Sequence, residues 1–549
     1  MTDLTLRDIE GAERLLGIAY TEAEREQMLG NLAGQIAAAE SRRALDFPNS
    51  LPPATVFDPR LPGVEAPEGP VLATPSGRDP GPLPEADEDI AFAPVRALSH
   101  WIRTGALSSR RLTEIYLARI ERLQPTLECF VTVTADFARA EADAADAAQA
   151  RGEWKGPLHG IPYGLKDLFD TAGIPTTWGA EPFADRIPDT DAEIVTRLRA
   201  AGAVLLGKTA VGALAYGDIW QGGVCRNPWN LEEGSSGSSA GSGAAVAAGL
   251  VGFGIGTETL GSITSPSARC GCTGLRPTFG RVPRTGGMAL CYSLDKVGPM
   301  CREAEDCALV FAALTGPDGR DRSCIGAGFA FDGTAALPPV RLGYMPKLFD
   351  ETGSAVDRAA LEAALRLPGV TPVELELPDL PYGALTNILF AEAAATFERL
   401  TLDGLDDRLT RQDDGAWPNT FRKARFLSAV DHVQADRLRY RVMEVFDGIF
   451  RDVDALIGPF GLDAMLIATN FTGHPSMLIP AGLESLATRP RLSLAGGKLD
   501  EGAGAADAPR REVPRGITLW TGLWREDLLV RLGMALEAEL GMLGRRPPV

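Results

Sequence analysis

The first 45 residues place apolar side chains at helical spacing, with an interruption around Gly17–Thr21. Thr21 followed three positions later by Glu24 has the form of a capping box, which predicts that a second helix begins there. Residues 46–93 are rich in proline and glycine, a composition that excludes a regular helix. We therefore predict a helical extension over residues 1–45, followed by an extended arm or linker over residues 46–93.

From residue 94 onward, predicted helices and strands alternate along the chain. The spacing predicts helices over Leu98–Thr104, Ser108–Leu123, Ala135–Arg151, Asp191–Ala201 and Ala244–Leu250, and strands over Phe130–Thr134, Val204–Leu206 and Ala455–Gly458. Residues 353–450 are mostly helical in pattern, whereas residues 484–515 have poor periodicity and predict a surface insertion. This alternation is typical of an α/β layered domain with a largely parallel or mixed sheet.

Composition narrows the class of protein. The 549 residues have a net charge of −19, which argues against nucleic-acid binding because phosphate recognition needs a basic surface. The eight cysteines are scattered, so we expect reduced thiols and no metal site. The N-terminus lacks the apolar core of a signal peptide, and the longest apolar run is too short to cross a bilayer. We therefore expect a cytoplasmic protein that does not associate with membranes.

The segment Gly256-Thr-Glu-Thr-Leu-Gly-Ser-Ile263 predicts a tight turn that exposes Ser262. A serine beside consecutive backbone N–H groups has the requirements of acyl transfer, a nucleophile and an anion-stabilising loop. Ser238 lies in a Gly/Ser-rich run over residues 234–243, and Lys166 lies further upstream. A lysine and two serines can support serine hydrolysis without histidine, of which this chain has only four.

Two other motifs match catalytic or binding patterns without the required context. Residues 202–209, Gly-Ala-Val-Leu-Leu-Gly-Lys-Thr, fit the P-loop expression, but their apolar interior predicts a strand whose N–H groups belong to a sheet. Ser293-Leu-Asp-Lys296 fits the Ser-x-x-Lys motif of penicillin-recognising enzymes, whose companion motifs are missing. We therefore do not expect nucleotide binding or a penicillin-type site.

A third motif remains an open alternative. Gly237-Ser-Ser-Ala-Gly241 fits the nucleophile elbow, with Ser239 as nucleophile and His432 or His474 as its only downstream histidine partners. The elbow requires a preceding strand, whereas residues 227–236 predict a loop. A histidine-dependent hydrolase built on Ser239 is thus less favoured, and it is retained for comparison.

Several motifs in order along the chain resemble the amidase signature family, over about residues 94–540. They are Gly156–Asp170, Asn227–Asn230, the Ser238-Ser239 pair, Gly256–Ile263, Gly274–Val282, Asn470–Pro475 with Pro480–Gly482, and Asp527–Leu529. The resemblance implies an α/β fold in which helices cover both faces of a central mixed β-sheet. It assigns the catalytic domain to residues 94–549, with a core over 150–300 and a helical substrate-side region over about 353–450.

The same resemblance implies a Ser–cis-Ser–Lys triad with Ser262 as nucleophile, Ser238 as bridging serine and Lys166 as base. Thr259, Leu260, Gly261 and Ser262 would supply the N–H groups of the oxyanion hole. No metal or organic cofactor is implied. The expected substrates are small or medium amides, with esters and carbamates as further candidates, and a homodimer is a candidate assembly. The lysine must be neutral to act as base, and its apolar flanking residues predict burial.

This chain also departs from the common family pattern. It has Leu260 where glycine is common, Glu258 for aspartate, Thr264 for arginine and Ala240 for glycine. None of these changes removes a triad atom, but Leu260 is expected to crowd the oxyanion loop. Two further alternatives stay open: an amidotransferase A-type glutaminase subunit that needs partner chains, and a non-catalytic binding or scaffold homologue.

Overall fold

The computed structural model describes residues 4–461, 463–490 and 509–549. The helices of these residues, numbered in chain order, are α1 Leu6–Leu16, α2 Glu22–Arg43, α3 Asp87–Ala91, α4 Val95–Arg103, α5 Ser109–Leu127, α6 Ala135–Ala150, α7 Glu193–Ala200, α8 Ala240–Ala247, α9 Thr264–Cys270, α10 Ala304–Leu314, α11 Pro346–Thr352, α12 Ala355–Leu365, α13 Thr386–Thr396, α14 Glu398–Leu402, α15 Trp417–Ala424, α16 Ala429–Asp452, α17 Ala464–Phe471 and α18 Glu526–Leu540. The strands are β1 Val71–Thr74, β2 Phe130–Val133, β3 Pro162–Lys166, β4 Val204–Thr209, β5 Ile219–Trp220, β6 Gly223–Val224, β7 Arg226–Asn227, β8 Asn230–Gly234, β9 Phe253–Glu258, β10 Thr273–Arg276, β11 Lys296–Cys301, β12 Phe329–Asp332, β13 Val340–Tyr344, β14 Val370–Glu374, β15 Ala455–Pro459, β16 Ser476–Ala487 and β17 Arg510–Thr521.

Eleven of these strands form one mixed sheet in the order β14-β13-β15-β17-β16-β10-β11-β9-β3-β4-β2. The pairs β3/β4, β3/β9, β13/β14 and β13/β15 are parallel, and the other pairs in the sheet are antiparallel. Helices cover both faces of this sheet and bury a continuous apolar core between helices and strands. The predicted α/β layered fold with a mixed central sheet is confirmed.

Local sequence signals explain several element ends. The Thr21 side chain accepts the N–H of Glu24 and completes the predicted capping box of α2. The helix of small residues begins at Ala240, four residues before the predicted start, because Gly241 lets its first turn pack on neighbouring backbone. A Cβ at Gly241 would lie 2.1 Å from the carbonyl oxygen of Cys129. The 353–450 region contains the strand β14, which helical periodicity did not predict.

Residues 46–93 lie against the body of the protein at several points. Strand β1 pairs in parallel with β12, from Val71 opposite Phe329 onward, and Ser76 donates through N–H and hydroxyl to the buried Glu305. Strands β16 and β17 form a long antiparallel pair that extends into the predicted insertion. Strand β16 ends at Ala487, which pairs with Arg510 at the start of β17. Residues 491–508 of that insertion lie outside the described residues.

No helix in the part of the chain that the structure describes is both long and apolar enough to span a membrane.

The sheet itself positions the chemistry. Strands β3 and β9 are parallel neighbours, with Leu165 opposite Ile255. Lys166 is the last residue of β3 and Glu258 is the last residue of β9. Because parallel strands bring their carboxyl ends to the same edge, both side chains lie at one edge of the sheet, where ligands of α/β proteins commonly bind.

Candidate functional site

Lys166 lies fully buried at the end of β3. Its Nζ atom lies 2.8 Å from Oγ of Ser238, 3.0 Å from Oγ of Ser239 and 2.8 Å from Oγ1 of Thr257. The neighbouring strand β9 supplies Thr257, and the turn before α8 supplies both serines after a cis peptide bond between Gly237 and Ser238. The structure therefore brings two of the predicted site residues, Lys166 and Ser238, into direct contact.

The surroundings of Lys166 favour its neutral form. Burial lowers the pKa of Lys166 well below its usual range, while the charges of Asp295 and Glu258 oppose this effect only in part. The adjacent Asp167 does not neutralise the lysine, because its carboxylate accepts the N–H and hydroxyl of Thr177 at 2.9 and 2.6 Å. The predicted burial of Lys166 is confirmed.

The two adjacent serines have different hydrogen-bonding roles. Ser239 Oγ donates to the carbonyl oxygen of Thr257 and accepts its N–H, both at 3.1 Å, so the Ser239 proton is already committed. Ser238 Oγ contacts the Lys166 amine alone among the described residues. A neutral amine has two N–H donors and one lone pair. Ser238 therefore differs from Ser239 in that, among the described residues, the Lys166 amine is the one group within hydrogen-bond distance of its hydroxyl.

The predicted turn after β9 places Ser262 beside these residues. The N–H of Ser239 donates to the carbonyl oxygen of Ser262 at 3.1 Å, which joins the two loops. Gly261 has φ +90°, and a Cβ there would lie 3.3 Å from the Leu466 side chain, so the turn requires glycine. Ser262 is only 8% exposed, so the prediction that this turn exposes it to solvent is wrong. Its side chain makes no hydrogen bond to the described residues. Neither do the N–H groups of Leu260, Gly261 and Ser262.

Glu258 fixes the C-terminal end of this turn through hydrogen bonds. Its Oε2 atom accepts the N–H groups of Ile263 and Thr264 at 2.9 Å each, which caps the start of α9. Its Oε1 atom accepts from Arg276 at 2.9 Å and from Asn470 at 3.1 Å. Burial alone would raise the pKa of Glu258, but the charge of Arg276 and these N–H donors lower it to about 2. A carboxylate at position 258 therefore fixes the residues that flank Ser262.

A second buried carboxylate holds the other end of the turn. Asp295 accepts the hydroxyl of Thr259 at 2.6 Å and the N–H groups of Leu290 and Cys291 at 2.8 and 3.0 Å. Burial raises the pKa of Asp295, and the nearby Arg284 opposes that rise. Neither Asp295 nor Thr257 was among the predicted site residues. Both belong to common residue types. Strand β9 places Thr257 beside Lys166, and the loop before β11 places Asp295 beside Thr259.

A cavity of about 860 Å³ adjoins this arrangement. Thr257 and Thr259 line it, so it reaches the residue that contacts Lys166 and the first residue of the predicted oxyanion turn. Helices α13 and α16 supply part of its wall, within the region predicted to lie on the substrate side. The N-terminal arm, residues 284–297 and residues 320–323 supply further wall, together with Leu168, Phe169 and Ala215.

The competing motifs have structural roles. Lys208, the lysine of the P-loop match, is buried in β4 and donates to the carbonyl oxygen of Phe169 and the hydroxyl of Thr176 at 2.7 and 2.6 Å. Lys296 donates to the carbonyl oxygen of Leu294 rather than to Ser293. The Ser293 hydroxyl instead donates to Glu392 at 2.6 Å.

Histidine does not lie at the Ser239 hydroxyl among the described residues. The His474 ring pairs with the hydroxyl of Thr472 at 2.7 Å, and burial together with Arg276 lowers its pKa to about 3. The described residues also contain no cluster of three or more His, Cys, Asp or Glu side chains suited to a metal ion.

Comparisons with known proteins identify the family of this chain. The sequence profile of the Amidase family matches residues 111–530. The A-type subunit of the glutamyl-tRNA(Gln) amidotransferase from Anaeromyxobacter dehalogenans (strain 2CP-C) is 36% identical over 491 residues, which cover 82% of this chain and 97% of that protein. The peptide amidase of Stenotrophomonas maltophilia is 29% identical with a TM-score of 0.69, covering 83% of this chain and 98% of that one. A 6-aminohexanoate cyclic dimer hydrolase is 25% identical with a TM-score of 0.67, covering 83% and 99%. The chain therefore belongs to the amidase signature family.

Proposed function

We propose that this protein is an amide hydrolase that works through a covalent acyl-enzyme, with Ser262 as nucleophile, Ser238 as bridging serine and Lys166 as base. The main support is the buried amine of Lys166, whose pKa is lowered and whose contact with Ser238 is 2.8 Å. A serine nucleophile requires a nearby base that can take its proton, and the lowered pKa of Lys166 supports this role without histidine.

The proposed reaction begins when Ser262 Oγ attacks the carbonyl carbon of the amide. The Ser262 proton passes to Ser238 Oγ while the Ser238 proton passes to Lys166 Nζ, which becomes an ammonium group. The same route in reverse delivers a proton to the leaving nitrogen as the C–N bond breaks, which leaves an ester on Ser262. Water then attacks that ester with the same proton route, and the carboxylic acid and free serine are regenerated.

The carbonyl oxygen becomes negatively charged during both attacks. The N–H groups of Thr259, Leu260, Gly261 and Ser262 are the proposed donors to this oxyanion. Support comes from the last three, which have no acceptor among the described residues, and from the two carboxylates that hold the turn at either end. A donor fixed before the reaction contributes more than one that must reorganise, and its loss costs about 10²- to 10³-fold in rate.

The cavity supports small or medium amides as substrates, with esters and carbamates as further candidates. Ligand sites for drug-sized molecules measure about 300–1,000 Å³, and this cavity of about 860 Å³ lies near the upper end. Its size thus favours amides with a substantial group beyond the carbonyl. The proposed setting is the cytoplasm, with no metal or cofactor required.

The direct test combines turnover with labelling of the nucleophile. We expect wild type to hydrolyse members of a panel of aryl and alkyl amides, with Ser262→Ala and Lys166→Ala reduced by at least 10³-fold. A fluorophosphonate probe should modify Ser262, as mapped by mass spectrometry, and His474→Asn serves as the control that retains both properties. Labelling at Ser239, or full turnover in Ser262→Ala, would reject this mechanism. Absence of both turnover and labelling in wild type would instead favour a non-catalytic scaffold.

A second candidate function rests on the curated relatives. The A-type subunit of the Anaeromyxobacter dehalogenans glutamyl-tRNA(Gln) amidotransferase is 36% identical over nearly its whole length, so this chain is also a candidate glutaminase component that works with partner chains. Ammonia release from glutamine, measured for the chain alone and after addition of the other amidotransferase subunits, separates the two candidates. Glutaminase activity that appears only with those partners would favour the second candidate over the first.

A further inference from the structure

A segment of the N-terminal arm lies across the cavity. Residues 49–60, here called the strap, precede the region matched by the family profile, which starts at residue 111. Most strap residues nevertheless line the cavity that Thr257 and Thr259 also line. Prolines at 52, 53 and 59 restrict the backbone of this segment and favour an extended conformation.

Two hydrogen bonds of the Asn49 side chain fix the N-terminal end of the strap. The Asn49 side chain donates to the carbonyl oxygen of Ala289 at 2.9 Å and accepts the N–H of the same residue at 2.8 Å. The Tyr292 hydroxyl donates to the carbonyl oxygen of Asn49 at 2.9 Å. This end is therefore attached to the segment whose Leu290 and Cys291 N–H groups bind Asp295.

The second end is fixed by an aromatic contact. The Phe57 ring packs edge-on against Phe279, with centroids 5.2 Å apart, and the Arg439 guanidinium lies 3.4 Å from its centroid. A Cβ at Gly473 would lie 3.0 Å from Pro59, so the strap contacts the backbone there closely. Arg439 in turn donates to the carbonyl oxygen of Phe471, in the helix that supplies Asn470 to Glu258.

The strap thus joins the two regions that support the Ser262 turn, one through Asp295 and the other through Asn470. Between its anchors, most of residues 50–56 line the cavity together with α16. On the α16 side, Val433 and Tyr440 line the cavity and are 57% and 45% exposed. These two side chains add exposed apolar surface to the α16 side of the cavity.

We propose that the strap is the outer wall of the substrate site, and that Phe57 and Asn49 determine its preference for amides with an extended apolar acyl group. This inference rests on the proposed hydrolase function and adds the substrate class. Asn49 acts as a positioning residue because it holds the strap through Ala289. Phe57 supplies apolar surface to the wall, and the bound acyl group covers that surface.

The test compares substrates that reach the strap with substrates that do not. Acetyl and decanoyl 4-nitroanilides are hydrolysed by wild type, Asn49→Ala, Phe57→Ala and two controls. Phe47→Ala removes an exposed phenylalanine just before the strap, and Asn31→Ala removes an exposed asparagine on α2. We expect both strap variants to lose about tenfold in kcat/KM for the decanoyl substrate through KM, as removal of buried apolar contacts implies. That loss should exceed the loss for the acetyl substrate at least fivefold, and the controls should match wild type.

A binding measurement separates this proposal from the proposed reaction. In the Ser262→Ala background, which removes the nucleophile, the decanoyl anilide should bind about tenfold more weakly when Asn49→Ala or Phe57→Ala is added. Equal effects on both substrates together with unchanged binding would overturn the role of the strap. Turnover that persists in Ser262→Ala would reject Ser262 as the nucleophile. The binding measurement would still show whether the strap contacts the acyl group.

Discussion

Glu258 and Arg276 form an ion pair at 2.9 Å in which neither side chain is exposed to solvent. Further hydrogen bonds to the remaining donors and acceptors stabilise such a buried pair, although the Nε of Arg276 has no partner among the described residues. Arg276 donates further to the carbonyl oxygen of His474 at 2.8 Å, and Glu258 accepts the N–H groups that begin α9. Arg276 therefore holds the carboxylate of Glu258, and this carboxylate in turn fixes the residues that follow Ser262.

We expect Glu258→Gln to destabilise the protein by about 3 kcal/mol, because it leaves the Arg276 charge buried without its counter-charge. Chemical denaturation measures this change. Glu232→Gln is the matched control, since Glu232 forms an exposed ion pair with Arg511 whose loss should leave the free energy of unfolding close to that of wild type. The same Glu258 variant should react more slowly with a fluorophosphonate probe under native conditions, because the Ser262 turn loses its support. Unchanged stability would contradict the assigned role of the pair.

Acid should remove the stabilisation that Glu258 provides. The pKa of Glu258 is lowered to about 2 from the ordinary glutamate value of 4.5, so the folded state favours its charged form. This contribution is complete above about pH 4.5 and is lost as the pH falls toward 2, with a limit of about 3 kcal/mol. Unfolding free energies measured between pH 6 and 3 should therefore decline less steeply in Glu258→Gln than in wild type. Parallel curves for the two proteins would show that another carboxylate controls acid unfolding.

A rise in pH from 5 to 8 should reduce the stability that a different buried acid, Glu537, provides. Glu537 accepts the hydroxyl of Thr273 at 2.6 Å and the N–H of Ala304 at 2.9 Å. Burial raises its pKa to about 8, with help from the charges of Glu303 and Asp306. Because the folded state retains the proton, this contribution is complete below about pH 4.5 and is lost as the pH rises toward 8. Glu537→Gln should flatten the fall in unfolding free energy between pH 5 and 8, and an unchanged slope would contradict this assignment.

The sequence predicted the layered fold because the helical and strand periods alternate cleanly from residue 94. It also led to Lys166 and Ser238, because lysine and serine within glycine-rich motifs are chemically distinctive. Asp295 escaped prediction because its contact with Thr259 depends on how the loop after Leu290 folds back on itself. The strap escaped for a similar reason. Proline-rich sequence predicts an extended segment, but it does not reveal which surface that segment crosses.

The pH dependence of turnover should report on Lys166. Burial lowers its pKa well below the usual range of lysine, so the neutral base should be available at neutral pH and activity should fall only on the acidic side. Lys166→Met should reduce turnover by at least 10³-fold. It should not lower the melting temperature, because it replaces a desolvated amine with an apolar side chain. Lys208→Met is the comparison, since it removes another buried lysine from the adjacent strand. Lys208→Met should lower the melting temperature, and its activity should fall at the same acidic pH as that of wild type.

The two adjacent serines provide the sharpest test of the proton route. Ser239 Oγ is committed to the backbone of Thr257 through one donated and one accepted hydrogen bond. Among the described residues, Ser238 Oγ forms a hydrogen bond only with the Lys166 amine. Ser238→Ala should therefore reduce kcat by about 10²- to 10⁴-fold, the usual contribution of a positioned proton-transfer group. Ser239→Ala should reduce kcat by less than about tenfold and act mainly on stability, because an unsatisfied buried N–H costs about 1–3 kcal/mol. Steady-state kinetics and melting curves on both variants decide the matter. A larger loss of kcat in Ser239→Ala than in Ser238→Ala would show that the relay runs through Ser239 instead.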